Sequence, residues 1–441
     1  MKLDPTGRNL PWFVLAASLL VCFGVWQWAE TILLPSNTMV AQTKGIPICN
    51  NSDLYPRWLG AREALLHGRD PYSAEMTREM QVGFYGRQLD PRNPADPKDQ
   101  VGFAYPLYVI FLLAPTVTLP FQTVLRMFHW LVLLSLAASV PLWMYAIGFR
   151  TRPVFTLAGM VLAVSSSAAI SEYHLQNLAV LVVLMLAAAT AAAVRSWLAL
   201  SGFLLALSTI KPQLSGLFVF FFILWAAADW GRRQRLIWSF SVSLLALILA
   251  SEKVSSGWIG RFLMAIRAYQ TYAADPAILQ ILLPAWLSTL VAAALLGFLV
   301  ACCWRWRKAP AGAEQFGWAL AWVASVTLAL IPKLAAYNQV FLIPAVLVLL
   351  AHRDTIWKAG LFPRALAKGV LMCLMWEWGT AVALSLCTFL VPVSRIRMAA
   401  GVPQYTLFAL PSITLLAVVS ATFCLRDSCL FIPQTPAAPH G

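Results

Sequence analysis

Residues 11–34 read PWFVLAASLLVCFGVWQWAETILL, a run whose single charge is Glu30. About 20 apolar residues in a helix suffice to cross the hydrocarbon core of a bilayer. Runs of this kind recur to the end of the chain, so the first is not a lone signal peptide. The whole sequence of 441 residues is 60% hydrophobic and 11% charged, against about 25% charged residues in an ordinary soluble domain. Its mean hydropathy is +0.73. The runs are apolar on all faces rather than alternating, which points to helices and away from a barrel, the two structures that satisfy a backbone in lipid. The expectation is an all-α polytopic membrane protein, organised as one integral membrane domain over residues 1–441.

The net charge of +14 comes from 32 basic and 18 acidic residues. In a membrane protein such an excess marks short cytoplasmic loops and contact with anionic lipid, not nucleic acid. The eight cysteines follow no metal-ligand spacing, and no metal site is expected. Lys2 and Arg8 precede the first run and place the N-terminus in the cytoplasm. Residues 35–100 then form the first outer loop. Its acidic residues (Asp53, Glu63, Asp70, Glu75, Glu79, Asp90, Asp96, Asp99) equal its basic ones in number (Lys44, Arg57, Arg62, Arg69, Arg78, Arg87, Arg92, Lys98). The positive excess lies elsewhere, at Arg232-Arg233-Gln234-Arg235 and at Arg305-Trp306-Arg307-Lys308.

Counting apolar runs from residue 11 to the Arg232 cluster gives seven crossings: residues 11–34, 102–119, 124–147, 155–170, 178–194, 197–210 and 213–230. An odd number puts that cluster outside, against its composition. One run is therefore something else, either a passage broken at Lys211-Pro212 or an early re-entrant segment. Over the whole chain the expectation is about eleven to thirteen spans.

Inside the outer loop, Leu54, Trp58, Ala61 and Leu65 recur at helical spacing. They predict an interfacial helix that ends near His67-Gly68, with the glycine as C-cap. Asp53 and Arg57, four apart, are placed to pair. A second surface helix is expected over residues 75–88.

Polar residues at the junctions between apolar runs are the candidates for chemistry. Asp53 follows the first span; a carboxylate there can act as a general base, hold a cation or pair with Arg57. Arg57 and Arg62 suit phosphate oxygens, and equally a lipid-facing helix surface. Lys211, beside the helix-disturbing Pro212, can compensate an anionic leaving group or sit as an interfacial lysine. Gln213 suits sugar hydroxyls or a helix contact. His174, Gln176 and Asn177 form one polar cluster with Glu172, and Lys333 and Tyr337 another with Asn338 and Gln339. Ordinary inter-helix hydrogen bonding is the competing explanation for both clusters.

Read in order, Asn51-Ser52-Asp53-Leu54-Tyr55, Gly68-Arg69-Asp70-Pro71-Tyr72, Phe103-Ala104-Tyr105-Pro106-Leu107, Gln176-Asn177 and Lys211-Pro212-Gln213 resemble glycosyltransferase family 87. These are the polyprenyl-phosphate-mannose-dependent mannosyltransferases of the GT-C superfamily. The resemblance covers residues 11–350, and it departs from the family at Leu107, where a second proline is usual. It implies a GT-C fold in a bacterial cytoplasmic membrane, with the active site on the outer face. It implies a polyprenyl-phosphate hexose donor, a glycolipid or polysaccharide acceptor, no cofactor, and inversion at the sugar. It puts the catalytic base on Asp53, and substrate contacts on Arg57, Arg62, Tyr105, His174, Gln176, Asn177, Lys211, Gln213, Lys333 and Tyr337. The competing class is a lipid or polysaccharide transporter, for which broken helices are also suited. An inverted repeat would favour it, and none is evident in the sequence.

Overall fold

The computed structural model describes residues 9–43, 52–90, 92–93, 96–272, 276–331 and 335–424. Among them every regular element is helical. Six helices are long and apolar enough to cross a membrane: Leu10–Thr43, Phe121–Ala146, Trp230–Val254, Ala285–Trp306, Leu361–Cys387 and Val393–Phe423. A seventh passage arises if Pro153–Val164 and Ser167–Leu175, bent by 58° at their junction, are one span. The expected eleven to thirteen spans are thus not met by long helices alone.

The reason is visible in four shorter apolar helices: Ala179–Val194, Leu198–Ser208, Pro212–Ala227 and Ala336–Ala351. At about 1.5 Å per residue, the 16-residue Ala179–Val194 is about 24 Å long, short of the roughly 30 Å hydrocarbon core. A short helix in contact with lipid would leave its end groups unsatisfied. This one is buried along nearly its whole length, so protein and not lipid covers its sides, while residues 195–197 that follow it are exposed. Its alanines let neighbours approach closely, as small residues do in membrane bundles. Gly202 serves the same purpose on Leu198–Ser208. A Cβ there would lie 2.2 Å from the Leu236 carbonyl oxygen, so only glycine allows these two backbones to touch.

The links between helices gather at two ends. At one, Trp225 Nε1 donates to the Ala309 carbonyl at 2.8 Å, Gly312 packs on Val194, and His352 Nε2 lies 3.2 Å from Glu314. At the other, the Asp53 N–H donates to the Leu175 carbonyl at 2.7 Å, and Tyr108 Oη bonds Thr209 at 2.9 Å. Helices run alternately between these ends.

The run at residues 102–119 is not a passage, which corrects the crossing count. It forms only the five-residue helix Val109–Leu113 and a 3-10 turn at Ala114–Thr116. It starts and finishes against the same insert. Tyr72 Oη donates to the Tyr105 carbonyl at 2.7 Å, Trp58 Nε1 donates to the Thr116 carbonyl at 3.2 Å, and Phe121 stacks edge-on to Tyr55 at 4.9 Å. With that run removed, an even number of passages separates residue 10 from the Arg232 cluster, and both lie at one end. The break at Lys211-Pro212 is a true turn between two helices.

The insert folds as its pattern predicts. Leu54–His67 is a helix with Leu54, Trp58 and Ala61 buried, closed by Gly68 at φ 66°. Ala74–Tyr85 follows, with the Ser73 side chain accepting from the Met76 N–H. Arg69 joins the two helices through Glu63 at 3.0 Å and Glu79 at 2.5 Å. The expected Asp53–Arg57 ion pair does not form, because both side chains have other partners.

Candidate functional site

Asp53 occupies the N-cap position of Leu54–His67, yet its carboxylate caps nothing. The capping role falls to Ser52, whose Oγ accepts from the Leu54 N–H at 3.2 Å. The backbone N–H of Asp53 is tied to the Leu175 carbonyl. The carboxylate is therefore held at a fixed place and left available to neighbours outside its own helix.

Its partner is Asn177, whose Nδ2 donates to Asp53 Oδ2 at 2.7 Å. Asn177 lies just past Ser167–Leu175, where Gln176 adopts the left-handed conformation (φ 44°) and turns the chain. The other end of the amide, Oδ1, accepts from the Ala179 N–H at 3.1 Å and from Lys211 Nζ. A cation and an N–H can only be bonded by the oxygen, so the network fixes which way the amide faces. The result is a relay: carboxylate, amide, ammonium.

Lys211 is buried at the N-cap of Pro212–Ala227. Its Nζ lies 5.3 Å from the Tyr337 ring centre and 5.9 Å from that of Tyr105. Arg57, one turn beyond Asp53, places its guanidinium 4.8 Å from the same Tyr105 ring. Two cations thus share one aromatic ring, an attraction that strengthens out of water. Burial pushes the Tyr105 phenol up, with the Arg57 charge pulling against it. The phenol stays protonated at neutral pH and can donate a hydrogen bond.

These groups line a cavity of about 530 Å³. Its charged groups are Asp53, Arg57, Asp99 and Lys211, with Asn177 beside them. Neutral polar groups share the lining: Gln213, Tyr269, Gln270, Gln280 and Asn338. Asn338 is buried, and its Oδ1 has no hydrogen-bond partner. The amphipathic helix Trp258–Tyr272 contributes Phe262, Ile266, Tyr269 and Gln270 to the lining. It is fastened by an ion pair from Arg261 to Asp70 at 3.0 Å and by Trp258 stacked edge-on to Tyr108 at 5.9 Å.

Of the residues expected from sequence, Asp53, Arg57, Tyr105, Asn177, Lys211, Gln213 and Tyr337 come together in the cavity. Arg62, His174 and Gln176 do not line it. Arg62 lies over the Trp58 ring at 5.5 Å. His174 points toward Glu30, at 3.8 Å. Gln176 is spent on the turn, its Nε2 bonded to the Tyr173 carbonyl. Helical periodicity explains the split, since neighbours in sequence face different directions. Lys333 lies outside the described residues, as does Asn51. Tyr269, Gln270 and Gln280 were not anticipated, because Tyr269 and Gln270 lie in a stretch that reads as amphipathic surface and Gln280 at the start of an apolar run read as a span.

Residues 103–332 match the model of glycosyltransferase family 87. No curated protein and no solved structure matches the chain. The matched region contains Tyr105, Asn177, Lys211 and Gln213; Asp53 precedes it.

Proposed function

The chain belongs to glycosyltransferase family 87, and from that premise we propose that it moves a hexose, mannose in the first instance, from a polyprenyl-phosphate donor to a glycolipid or polysaccharide acceptor. The observation that carries this reading is the relay from Asp53 through Asn177 to Lys211 on the lining of one cavity. It puts an anchored base and a buried cation within reach of one ligand.

In this reading Asp53 takes the proton of the acceptor hydroxyl. The acceptor oxygen bonds to the anomeric carbon from the face opposite the phosphate. The carbon–oxygen bond to phosphate breaks, its electron pair leaves with the polyprenyl phosphate, and the sugar inverts. Asn177 occupies Oδ2 and leaves Oδ1 for the proton. Lys211 spends one of its three N–H groups on Asn177, and the others meet phosphate oxygens together with Arg57. A phosphate is already a good leaving group, so charge stabilisation at its oxygens outweighs protonation. The neutral amides of Gln213, Gln270, Gln280 and Asn338 suit the hydroxyls of a sugar.

The same reading treats residues 1–441 as one GT-C type catalytic domain. It crosses twelve times if the six long helices, the bent pair, the four shorter apolar helices and the buried Glu314–Leu330 each count once. Residues 35–100 lie on the outer face of a bacterial cytoplasmic membrane, with the Arg232 cluster inside.

The test is transfer from a radiolabelled polyprenyl-phosphate sugar by the protein in liposomes. Wild type gives labelled acceptor. Asp53→Asn, with an unchanged melting temperature, loses about 10²–10⁴ of the rate, the size of a general base's contribution. Movement of intact donor across the bilayer without transfer would instead establish a transporter.

A further inference from the structure

At the end of the molecule opposite Asp53, a cleft of about 1190 Å³ lies between the Leu198–Ser208 helix, the start of Trp230–Val254 and residues 308–311. Two kinds of basic residue line it. Arg233 is used by the fold: its guanidinium donates to the carbonyls of Trp225 at 2.9 Å and Arg307 at 3.1 Å, and stacks on the Trp225 ring at 3.9 Å. Arg232, Arg235 and Lys308 are exposed, and no acidic group among the described residues lies within ion-pair distance of them. Among the described residues the only acid on the lining is Asp229, 3.8 Å from the pinned Arg233.

Three uncompensated cations around one concavity repel each other, and two of them sit in the first turns of a 25-residue helix, where the helix dipole is already positive. An anion in the cleft removes both penalties. The helix also says what the anion is attached to. Trp238 and Val242 line the cleft and are 58% and 63% exposed. Leu245 and Leu249 continue the same face at helical spacing, both exposed. An apolar stripe therefore leads from the basic cleft toward the membrane interior, as the acyl chains of a lipid would. Tryptophan at that level is typical of a headgroup boundary.

We propose that this cleft binds an anionic phospholipid, its phosphate on Arg232, Arg235 and Lys308 and its chains along the stripe that starts at Trp238. The site is separate from the cavity at Asp53 and does not depend on the reaction assigned there.

The experiment titrates purified protein with dioleoyl phosphatidylglycerol, and separately with dioleoyl phosphatidylcholine, and counts retained lipid by native mass spectrometry. Wild type retains the anionic lipid in preference to the zwitterionic one, and excess inorganic phosphate does not displace it. The Arg232→Gln/Arg235→Gln variant binds the anionic lipid more weakly, by about fivefold for each charge removed. Arg150→Gln/Arg152→Gln removes two exposed charges from the same end outside the cleft and leaves the affinity unchanged. Equal loss in both variants would overturn the proposal in favour of diffuse attraction. Displacement by inorganic phosphate would overturn the lipid assignment, and no loss in either variant would overturn the site.

Discussion

The two ends of the molecule use charge in opposite ways. Around Asp53 the insert carries as many acids as bases, and the charges of the site are half-buried or buried and linked to one another. At the far end cations cluster almost without acids, and the one that is buried, Arg233, is spent on backbone carbonyls. Buried and linked charges are held at fixed distances in a low dielectric, where they act strongly on a ligand. Exposed, unpaired charges act through their field on whatever surface is near. The difference separates the proposed place for chemistry from the proposed place for anchorage, although both carry lysine and arginine.

That contrast can be broken by substitution. Lys211→Met removes the buried cation while keeping the bulk of its stem. Transfer falls by about 10²–10³, in line with the loss of one group that stabilises a developing negative charge, as read by initial rates at saturating donor. Lys211→Arg does not restore the rate, since a planar fork cannot take the place of a compact ammonium. Asn177→Leu keeps the shape of the relay and deletes its hydrogen bonds. The Asp53 carboxylate and the Lys211 ammonium then lose their shared partner, at about 1.5–3 kcal/mol for hydrogen bonds to charged groups. The melting temperature drops, and the transfer rate drops with it.

At the other end the expectation reverses. Arg233→Met breaks the clamp onto the Trp225 and Arg307 carbonyls and leaves them unpaired, at a cost of about 1.5–3 kcal/mol. Thermal unfolding shifts down, while the transfer rate per folded molecule stays at the wild-type value. A fall in that rate would couple the two ends and dissolve the distinction.

The smallest effect is confined to the insert. Arg87, bonded to Asp96 at 2.6 Å, and the Asp90 N–H hold the Asp96 carboxyl down to about 2. A lowered value means that the contribution is present above the ordinary 3.8 and is lost as pH falls through about 2. Limited proteolysis of residues 86–100 by an acid-active protease should therefore accelerate over that window, and Asp96→Asn should show the faster rate already at pH 5.

Much of this was legible in the order of residues. The insert helix was written in its stripe of Leu54, Trp58 and Ala61 and its closing Gly68, because a surface helix shows its period. The run at 102–119 misled because an apolar sequence reports burial and does not say whether lipid or protein does the covering. Here the Leu54–His67 helix covers it. The short helices were harder still, since neighbouring helices cover their sides and that packing is not written in the runs themselves. Asp53, Asn177 and Lys211 each stood out as polar residues at breaks in apolar runs. That one amide joins the other two was not legible, because the contacts span 124 and 34 residues and exist only through the packing of the helices. His174 and Gln176 shared the signal of Asn177 and face elsewhere, as their places on a helix end and in a left-handed turn require.

The proposed role of Asp53 is to take a proton from the acceptor and not to hold the donor. The direct measurement is the single-turnover rate of Asp53→Asn beside its equilibrium affinity for the polyprenyl-phosphate sugar. The expected result is a rate lowered by about 10²–10⁴ with donor affinity unchanged. A retained rate, or a donor affinity that falls in step with the rate, would contradict it.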